Sequence, residues 1–376
     1  MGSFLFAFVV FVVFVFTVLW EPFRIQRDFP APTKRSLPGA AGVEQQHPNH
    51  RKPLTPYNKT IQNTNNNKNK RTTQDPTQTL NSNNNDNDNS MSHTTPLEPF
   101  PERNLENKII VVTGASRGLG NRLAQLLAQR KATLVLTARD QSSLDTAVND
   151  IKTSTGNDHV YGFVCDQGKL ESVNEFFRQF SQKFSHIDVL VNNASIMPGY
   201  GMETIDDQLD IDTFRINVEG VFMVTKKALP FMFASPNKDF ERTVIFVSSS
   251  AGWLTEPEEG CGMISYRASK AAENGIMVGL HQMYVEDTER TREVRGGDSS
   301  KYLNRVVSLH PGFVATGLGK ETWMDKSHDH SKISELKLGF GAIPIDSGVD
   351  TMLWLIAAES GVQSGKTYYE RKVHSF

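Results

Sequence analysis

The chain has 376 residues and a formal net charge of −2 at neutral pH. This near balance of charge excludes a global basic field, so we expect no nucleic acid among the partners. The two cysteines, Cys165 and Cys261, are too few for a disulfide framework, and the length allows one large domain with appendages or two modest domains.

The first predicted element is the apolar run of residues 4–20, which only Thr17 interrupts. As a helix this run would be about 25 Å long, the short end of what crosses a bilayer. A buried core helix and a cleaved signal peptide are the alternatives. No basic residue precedes the run and no small-residue cleavage site follows it, which argues against a signal peptide. We therefore predict a transmembrane signal-anchor helix.

Four basic residues shortly after this run indicate its orientation: Arg24, Arg27, Lys34 and Arg35. By the positive-inside rule they place the rest of the chain in the cytosol. The sequence thus predicts a single-pass membrane protein, in the endoplasmic reticulum for example, whose folded domain faces the cytosol.

Residues 21–104 are predicted to be a disordered linker. From residue 28 onward they are rich in Pro, Thr, Gln and above all Asn, as in NTNNNKNK and NSNNNDNDNS. So few apolar residues cannot bury enough surface to offset the entropy of ordering the chain. The triplet Asn58-Lys59-Thr60 is a glycosylation sequon, which would matter only if the linker faced a lumen.

From residue 105 onward, apolar runs of strand length alternate with helical stretches. The runs are KIIVVTG, ATLVLTA, VYGFVCD, DVLVNNA, TVIFVSSS and RVVSLHPG. Continuous β-branched runs separated by helices are typical of parallel strands that are covered on both faces. We therefore predict an α/β fold over residues 105–376. It is a single domain built on a doubly wound parallel sheet of the Rossmann type, with the ligand beyond the carboxyl ends of the strands.

The first strand leads into a glycine-rich turn and a helix, in the stretch IIVVTGASRGLGNRLAQLLAQ. Gly114, Gly118 and Gly120 permit a tight turn and a close approach of the backbone to a ligand. Free N–H groups at the start of the helix would face an anion. The spacing is G-x-x-x-G-x-G rather than the common G-x-G-x-x-G of dinucleotide-binding turns. It still favours a phosphate-binding turn.

The same turn contains a G-x-S-x-G pattern, which is typical of the nucleophile elbow of serine hydrolases. Ser116 would then be the nucleophile, with His310 and an Asp downstream. Against this alternative, the elbow of such hydrolases follows several earlier strands, whereas this strand opens the folded domain. A further alternative is a membrane-anchored scaffold without chemistry, for which the polar residues at the strand ends would be arbitrary.

The end of the second strand, TLVLTARD, bears on the choice of cofactor. A carboxylate there would bind the adenosine ribose and favour NAD, but Ala138 occupies that position and Arg139 follows it. Arg117 in the glycine turn adds a second guanidinium. Two arginines suit a 2′-phosphate through charge-assisted hydrogen bonds, so the sequence favours NADP(H), with NAD(H) as the alternative.

Polar residues also stand at the ends of the later strands. Asp166 ends the third strand, Asn193 and Ala194 follow the fourth, and the serines at 248–250 follow the fifth. Asn217 interrupts an otherwise apolar helix, which indicates a local task because Asn is a poor helix former.

The stretch ISYRASKAAENG places Tyr266 and Lys270 four residues apart, so both project from one face of a helix. A phenol beside an ammonium group is a candidate proton donor. The spacing alone is weak evidence, because Tyr368 and Lys372 share it near the C terminus. The weight of Tyr266 comes from the serines before it and from the phosphate turn.

In this order the motifs resemble those of the short-chain dehydrogenase/reductase family, over residues 105–376. The matching residues are Thr113-Gly114-Ala-Ser-Arg-Gly118-Leu-Gly120, Asp166, Asn192-Asn193-Ala194, Asn217, Ser249, Tyr266-x-x-x-Lys270 and Pro311-Gly312. The resemblance implies one Rossmann-type domain that transfers hydride between a nicotinamide and a carbonyl or alcohol, as NADP-preferring carbonyl reductases do.

The resemblance also implies the roles of the site residues. Tyr266 would be the general acid and base, while Lys270 would lower its pKa and bind the nicotinamide ribose. Ser249 would orient the carbonyl, and Asn217 would support a proton relay behind Lys270. The residues implied in cofactor binding are Gly114, Ser116, Arg117, Gly118, Leu119, Gly120, Arg139, Asp166, Asn193, Ala194, Tyr266, Lys270, Pro311, Gly312, Val314 and Thr316.

We therefore expect a membrane-anchored, NADPH-dependent oxidoreductase with a small, lipophilic carbonyl or alcohol substrate; NAD-linked alcohol oxidation is the alternative within this chemistry. A homo-oligomer is expected because family members often pair through their long helices. No metal is predicted, since His328 and His330 have no supporting ligands. The polar insertion at residues 286–302 has no predicted role.

Overall fold

The first six strands of the sheet follow the six predicted apolar runs, and the last two, near the C terminus, were not predicted. The computed structural model describes residues 99–198, 206–237, 239–255, 262–297, 300–318 and 341–375, all within a compact unit of Asn85–Phe376. Among these residues the strands are Ile109–Val112 (β1), Thr133–Ala138 (β2), Val160–Val164 (β3), Val189–Asn192 (β4), Thr243–Val247 (β5), Arg305–Leu309 (β6), Thr367–Tyr369 (β7) and Lys372–His374 (β8). They form one sheet in the order β3-β2-β1-β4-β5-β6-β7-β8, parallel except for the β7–β8 pair. The predicted Rossmann-type α/β fold with a parallel sheet is confirmed.

Helices alternate with the strands along the chain. They are Gly118–Gln129 (α1), Gln141–Thr155 (α2), Leu170–Lys183 (α3), Asp207–Phe214 (α4), Val221–Phe233 (α5), Ile264–Tyr284 (α6), Glu289–Val294 (α7) and Ile345–Ala357 (α8). A π-helical turn, Arg215–Gly220, joins α4 to α5, and a 3₁₀ turn, Ser250–Gly252, follows β5. The helix α7 lies within the polar insertion at residues 286–302.

The two buried faces of the sheet explain why its strands are apolar throughout. In β1, Ile110 and Val112 belong to one core cluster, whereas Ile109 and Val111 belong to the other. The first cluster includes residues of α1, α2 and α8, and the second includes residues of α3, α5 and α6. Because both faces are covered, a polar strand residue would need a partner inside the core.

The chain reverses its direction of winding between β1 and β4. The strand β1 pairs with β2 on one side and with β4 on the other, so the crossovers lead away from this point in opposite directions. A crevice opens beyond the carboxyl ends of two such strands. Gly114 follows β1 and Asn193 follows β4, so both lie at this crevice.

The last residues of the predicted linker pack on the folded domain. Glu102 forms an isolated β-bridge with Ala358, and Arg103 Nε donates to the Ile356 carbonyl at 2.7 Å. The Arg103 guanidinium also lies 4.0 Å from the centre of the Phe240 ring. Polar and cation–π contacts therefore hold part of the segment before residue 105 against the folded domain, although this segment has no apolar run.

The predicted transmembrane helix has to be corrected. In the part of the chain that the structure describes, no helix combines the length and the apolar character needed to cross a membrane. The longest described helix, α6, has 21 residues but carries Lys270 and Glu273 in its middle, and charges are costly at the centre of a bilayer. This finding contradicts the single-pass architecture and the membrane location, and both are withdrawn. Residues 4–20, on which they rested, lie outside the described residues.

Asp188 provides a pH test of this fold. Its buried carboxylate accepts hydrogen bonds from Ser235 Oγ (2.6 Å), Asn237 Nδ2 (2.8 Å) and the Ile109 N–H (2.9 Å). Burial alone would raise the pKa of Asp188, but the bonds from His186 and these groups lower it from 3.8 to about 2. A lowered pKa stabilises the fold above the unfolded value, so about 2 kcal/mol of stability should be lost as the pH falls through this window.

Acid unfolding followed by circular dichroism measures this loss, and Asp188→Asn should remove the part of the pH dependence between about pH 4 and pH 2 that Asp188 contributes. An unchanged acid transition in the variant would contradict the assignment.

Candidate active site

A cleft at the carboxyl ends of the strands brings most of the predicted site residues together. It encloses about 1120 Å³, open solvent included. The predicted residues that line it are Gly114, Ser116, Arg117, Gly118, Leu119, Arg139, Asp166, Asn193, Ala194, Tyr266, Lys270, Pro311 and Thr316. The predicted residues Gly120, Asn217, Ser249, Gly312 and Val314 are not part of its lining.

The glycine turn is held by the segment after β4. Gly114 and Gly118 have positive φ angles of 65° and 62°. Asn193 Nδ2 donates to the carbonyls of Thr113 (2.8 Å) and Gly114 (3.1 Å). A Cβ on Gly120 would lie 2.5 Å from Asn193 Nδ2 and 2.8 Å from the Gly114 carbonyl oxygen. Gly120 thus contributes to the cleft without lining it, because only a residue without a side chain lets the Asn193 amide reach the glycine turn.

We expect Gly120→Ala to weaken NADPH binding by more than about tenfold and to lower the free energy of unfolding by about 1–3 kcal/mol, because overpacking displaces Asn193. The matched control is Gly275→Ala on α6, where a Cβ would meet nothing within 4 Å. This control should instead raise the free energy of unfolding by about 1 kcal/mol. Nucleotide fluorescence titration and thermal unfolding measure the two effects. Equal behaviour of the two variants would contradict the steric argument.

The helix after the glycine turn begins without a side-chain cap. Arg117 is the N-cap of α1, no side chain caps the helix, and its first turn holds no acidic residue. By contrast, α2 is capped by Asp140, whose carboxylate accepts the Ser143 N–H at 2.7 Å. The N–H groups of α1 are therefore available to an anion, which fits a dinucleotide pyrophosphate.

Two exposed arginines flank this helix terminus. Within the described residues, neither Arg117 nor Arg139 has an acidic partner, and Arg117 Nη1 is close to Gly317. The nearest acid after β2 is Asp140, and its hydrogen bonds with Ser143 lower its pKa and hold it on α2. Two arginines without an acidic partner, next to an Asp140 that already caps α2, fit a 2′-phosphate better than an unphosphorylated ribose.

The end of β3 contributes one predicted residue and two that were not predicted. Asp166 accepts the Gly168 N–H (3.2 Å) and pairs with the exposed Lys169 (3.2 Å). Gln167 donates from Nε2 to the carbonyls of Ala194 (2.9 Å) and Ile216 (3.0 Å), so it joins three segments around the cleft. Cys165 also lines the cleft, and burial raises the pKa of its thiol to about 12, so it is a neutral packing group.

The loop after β6 closes another side of the cleft through Pro311 and Thr316. Val314 is buried and forms a bridge with Ile343, and the Thr316 N–H donates to the Val314 carbonyl at 2.8 Å. Gly312 adopts a φ of 87° within the same loop. Gly312 and Val314 therefore shape the loop, while their neighbours face the cleft.

The helix α6 carries the predicted catalytic pair. Tyr266 and Lys270 are 6% and 2% exposed, and Lys270 Nζ lies 5.6 Å from the centre of the Tyr266 ring. Lys270 Nζ donates to the Val247 carbonyl at 2.9 Å and to Glu273 Oε1 at 2.8 Å. Glu273 was not predicted, although its i+3 spacing from Lys270 was a usable signal.

The serines after β5 point in different directions. Ser248 lines the cleft and donates from Oγ to the Lys270 carbonyl at 3.2 Å. Ser249 is in extended backbone and caps the 3₁₀ turn, where its Oγ accepts the Ala251 N–H at 3.2 Å. A Cβ on Gly252 would lie 2.7 Å from the Lys270 carbonyl carbon, so this turn packs directly on α6. The role of Ser249 in orienting a carbonyl stays a prediction.

Asn217 lies fully buried in the π-helical turn, a feature that is frequent at functional sites. Its Oδ1 accepts the Ile196 N–H (2.9 Å), and its Nδ2 donates to the Ile196 carbonyl (2.8 Å) and to Ser269 Oγ (3.1 Å). Ser269 Oγ in turn donates to the Tyr266 carbonyl at 2.7 Å. These contacts position α6 against the chain after β4, and the predicted proton relay stays a prediction.

The other chemistries are not favoured. The His310 ring packs against Trp253 and Tyr369, with ring centres 5.5 and 5.0 Å away, rather than forming a triad with Ser116. Across the described ranges, no group of three or more His, Cys, Asp or Glu residues could hold a metal ion. His328 and His330 lie outside the described residues.

Comparison with known proteins finds similarity to dehydrogenases and reductases. A family model described as short chain dehydrogenase matches residues 108–327. Dehydrogenase/reductase SDR family member 4 from Homo sapiens is 30% identical over 236 residues, which cover 62% of this chain and 76% of that protein. The 3-oxoacyl-[acyl-carrier-protein] reductase FabG from Thermotoga maritima is 27% identical over 262 residues, which cover 70% and 95%. The 11-beta-hydroxysteroid dehydrogenase 1A from Arabidopsis thaliana is 35% identical over 219 residues, which cover 57% and 54%.

A solved structure is similar over the same region. A protein from Escherichia coli described as a short chain dehydrogenase, complexed with NADPH, has a TM-score of 0.55 and 25% sequence identity. The match covers 71% of this chain and 98% of that chain.

Proposed function

This chain belongs to the short chain dehydrogenase family, an oxidoreductase family that uses nicotinamide cofactors and small-molecule substrates, and from that premise we propose that it is an NADPH-dependent carbonyl reductase or alcohol dehydrogenase. The observation that carries the proposal is the placement of Tyr266 and Lys270 in the cleft that the glycine turn also lines.

The nucleotide end of the cleft suits NADPH, which supplies hydride when it is bound. The uncapped start of α1 would hold the pyrophosphate. Arg117 and Arg139 would hold the 2′-phosphate through charge-assisted hydrogen bonds. The solved relative from Escherichia coli was determined with NADPH, which supports this choice.

Tyr266 would transfer the proton. An isolated phenol is a poor acid–base catalyst at neutral pH, because its ordinary pKa is about 10. The ammonium group of Lys270 lies on the same buried helix face and favours the phenolate form. Lys270 would also bind the nicotinamide ribose. Asn217 and Ser248 would keep the helix that carries both groups in place.

We propose a lipophilic carbonyl or alcohol as the substrate. Large apolar side chains are exposed on segments that border the site: Leu254 after the 3₁₀ turn is 78% exposed, Ile264 at the start of α6 is 52% exposed, and Phe313 is 40% exposed. Such side chains favour an apolar ligand. The relatives named as a 3-oxoacyl reductase and an 11-beta-hydroxysteroid dehydrogenase support a carbonyl or alcohol on an apolar body.

NAD-linked alcohol oxidation is the second candidate within the same chemistry. It is less favoured because β2 ends on Ala138 and the following acid is engaged as a helix cap. The expected membrane contact and homo-oligomer are not supported, and neither is part of the proposal.

A substrate panel with the purified full-length chain tests the proposal. Aliphatic, aromatic and steroidal ketones and aldehydes are each supplied with NADPH or NADH, and the absorbance of the reduced nicotinamide is followed. We expect carbonyl-dependent oxidation of NADPH, with a preference for apolar substrates. Failure to bind or oxidise either nicotinamide would overturn the proposed function.

A further inference from the structure

The buried face of α6 is unusually polar. Lys270, Glu273 and Asn274 are 2%, 1% and 1% exposed, and they lie within the two helical turns that follow Tyr266. Helix positions with this degree of burial are normally apolar, because a buried charge is costly unless it is paired. The buried charges of Lys270 and Glu273, which follow the predicted proton donor on the same helix, therefore suggest a chemical role.

The carboxylate of Glu273 has one polar partner within the part of the chain that the structure describes. Its Oε1 accepts from Lys270 Nζ at 2.8 Å, and its Oε2 is buried without a hydrogen bond. Lys270 donates a second N–H to the Val247 carbonyl at 2.9 Å. Because an ammonium group has three donors, these two contacts leave one N–H for a ligand in the cleft.

Stability alone does not account for the pair. A buried ion pair is often no more stabilising than apolar residues of similar size, because the desolvation cost offsets the attraction. Burial raises the pKa of the Glu273 carboxyl to about 7, although the charge of Lys270 opposes this shift. Burial thus works against the charged form of Glu273, and the ammonium group of Lys270 favours it.

We propose that Glu273 is a positioning residue for the reaction: as the counter-ion of Lys270, it holds the ammonium group against β5 and tempers the charge that Tyr266 experiences. The inference rests on the proposed function, because Lys270 matters only if Tyr266 transfers the proton.

Lys270 is the charged group that contacts Glu273 directly. The strand β5 and the 3₁₀ turn, both packed on α6, contain no acidic, basic or histidine side chain. Three charged groups on elements packed against α6 are paired with an acid: Arg305 of β6 with Glu241, Arg215 of the π-helical turn with Asp212 of α4, and Arg292 of α7 with Asp287. The remaining charged groups on these elements are exposed or half-buried: Glu219, Asp207, Asp210, Glu289, Arg290 and Glu293.

Glu273→Gln isolates the charge, because the amide oxygen can still accept from Lys270. Glu273 lies seven positions after Tyr266 on the helix, about 10 Å along the axis. At this distance a lost negative charge should favour the phenolate form of Tyr266. In alcohol oxidation, where the phenolate is the base, the acid limb of the pH profile of kcat should therefore move to lower pH.

Glu273→Leu tests the positioning of Lys270, because it removes the hydrogen-bond acceptor and replaces it with an apolar side chain of similar size. We expect kcat to fall by about tenfold or more and NADPH binding in the absence of substrate to weaken, since Lys270 loses one of its two anchors. Glu273→Asp, which restores a carboxylate one methylene shorter, should recover part of both losses.

The matched control is Asn274→Leu, an equally buried neighbour whose amide has no hydrogen-bond partner among the described residues. This control should leave the acid limb at the wild-type pH. The same shift in Asn274→Leu, or no shift in Glu273→Gln, would overturn the inference while wild-type activity upholds the proposed function. A wild-type chain that turns over no nicotinamide would overturn both.

Discussion

Replacing Tyr266 with phenylalanine is expected to lower kcat by about 10²–10⁴-fold, the range that general acid–base catalysis contributes. The substitution removes the phenolic oxygen and keeps the ring, which is 6% exposed and packs with Ala251 and Met263. The fold should therefore be retained, and the affinity for NADPH should change far less than kcat. Steady-state kinetics with the best carbonyl of the substrate panel, together with a fluorescence titration of NADPH, separate the chemical loss from a binding loss.

Tyr284→Phe is the matched control for this experiment. Tyr284 ends the same helix and packs against Phe233, away from Lys270. This control should retain wild-type kcat. Activity of Tyr266→Phe within tenfold of the wild type would contradict the assignment of the proton donor, since only the hydroxyl differs.

Reversing the charge at Arg139 is expected to reverse the cofactor preference. Arg139→Asp removes a guanidinium from the 2′-phosphate and places a carboxylate close to where an unphosphorylated ribose would lie. One hydrogen bond to a charged group is worth about 1.5–3 kcal/mol, so the ratio of kcat/KM for NADPH over that for NADH should fall by about 10²-fold. Kinetics with both nucleotides at fixed substrate concentration measure this ratio.

Arg290→Asp is the control for a general effect of charge. Arg290 is exposed on α7 and does not line the cleft. It makes the same change in net charge, and it should leave the ratio unaltered. If Arg139→Asp and Arg290→Asp gave the same ratio, the account of the 2′-phosphate would be wrong.

Much of the fold could be read from local patterns. The runs IIVV and TLVLTA predict strands because they are almost entirely apolar and rich in β-branched residues, and the structure buries both alternating sets. The glycine turn was predictable for a similar reason, since few other sequences permit such a turn. An apolar run by itself indicates only that a segment avoids water, and it does not identify what covers that segment.

The site was predictable in its residue types but not in its contacts. Asn193 was expected to bind the cofactor, which stays a prediction, and the hydrogen bonds from its amide to the glycine turn could not be read from the sequence. Asn217 was singled out as an Asn inside a helix, but its partners Ile196 and Ser269 are 21 and 52 residues away in the chain. Such contacts depend on which distant segments the sheet brings together, and no local pattern specifies them.

The two Tyr-x-x-x-Lys motifs show this division most clearly. Both have the same spacing, and the sequence already placed only Tyr266 among companion motifs. In the structure Tyr266 and Lys270 share the buried face of α6, whereas Tyr368 hydrogen-bonds Gln363 and Lys372 is exposed on the terminal hairpin. Sequence patterns therefore determined the first six strands, the turn and the chemical types of the site. Only the tertiary structure decided which side chains lose contact with water, and burial made Glu273 a counter-ion of Lys270 rather than one more surface acid, because opposite charges attract more strongly in the protein interior than in water.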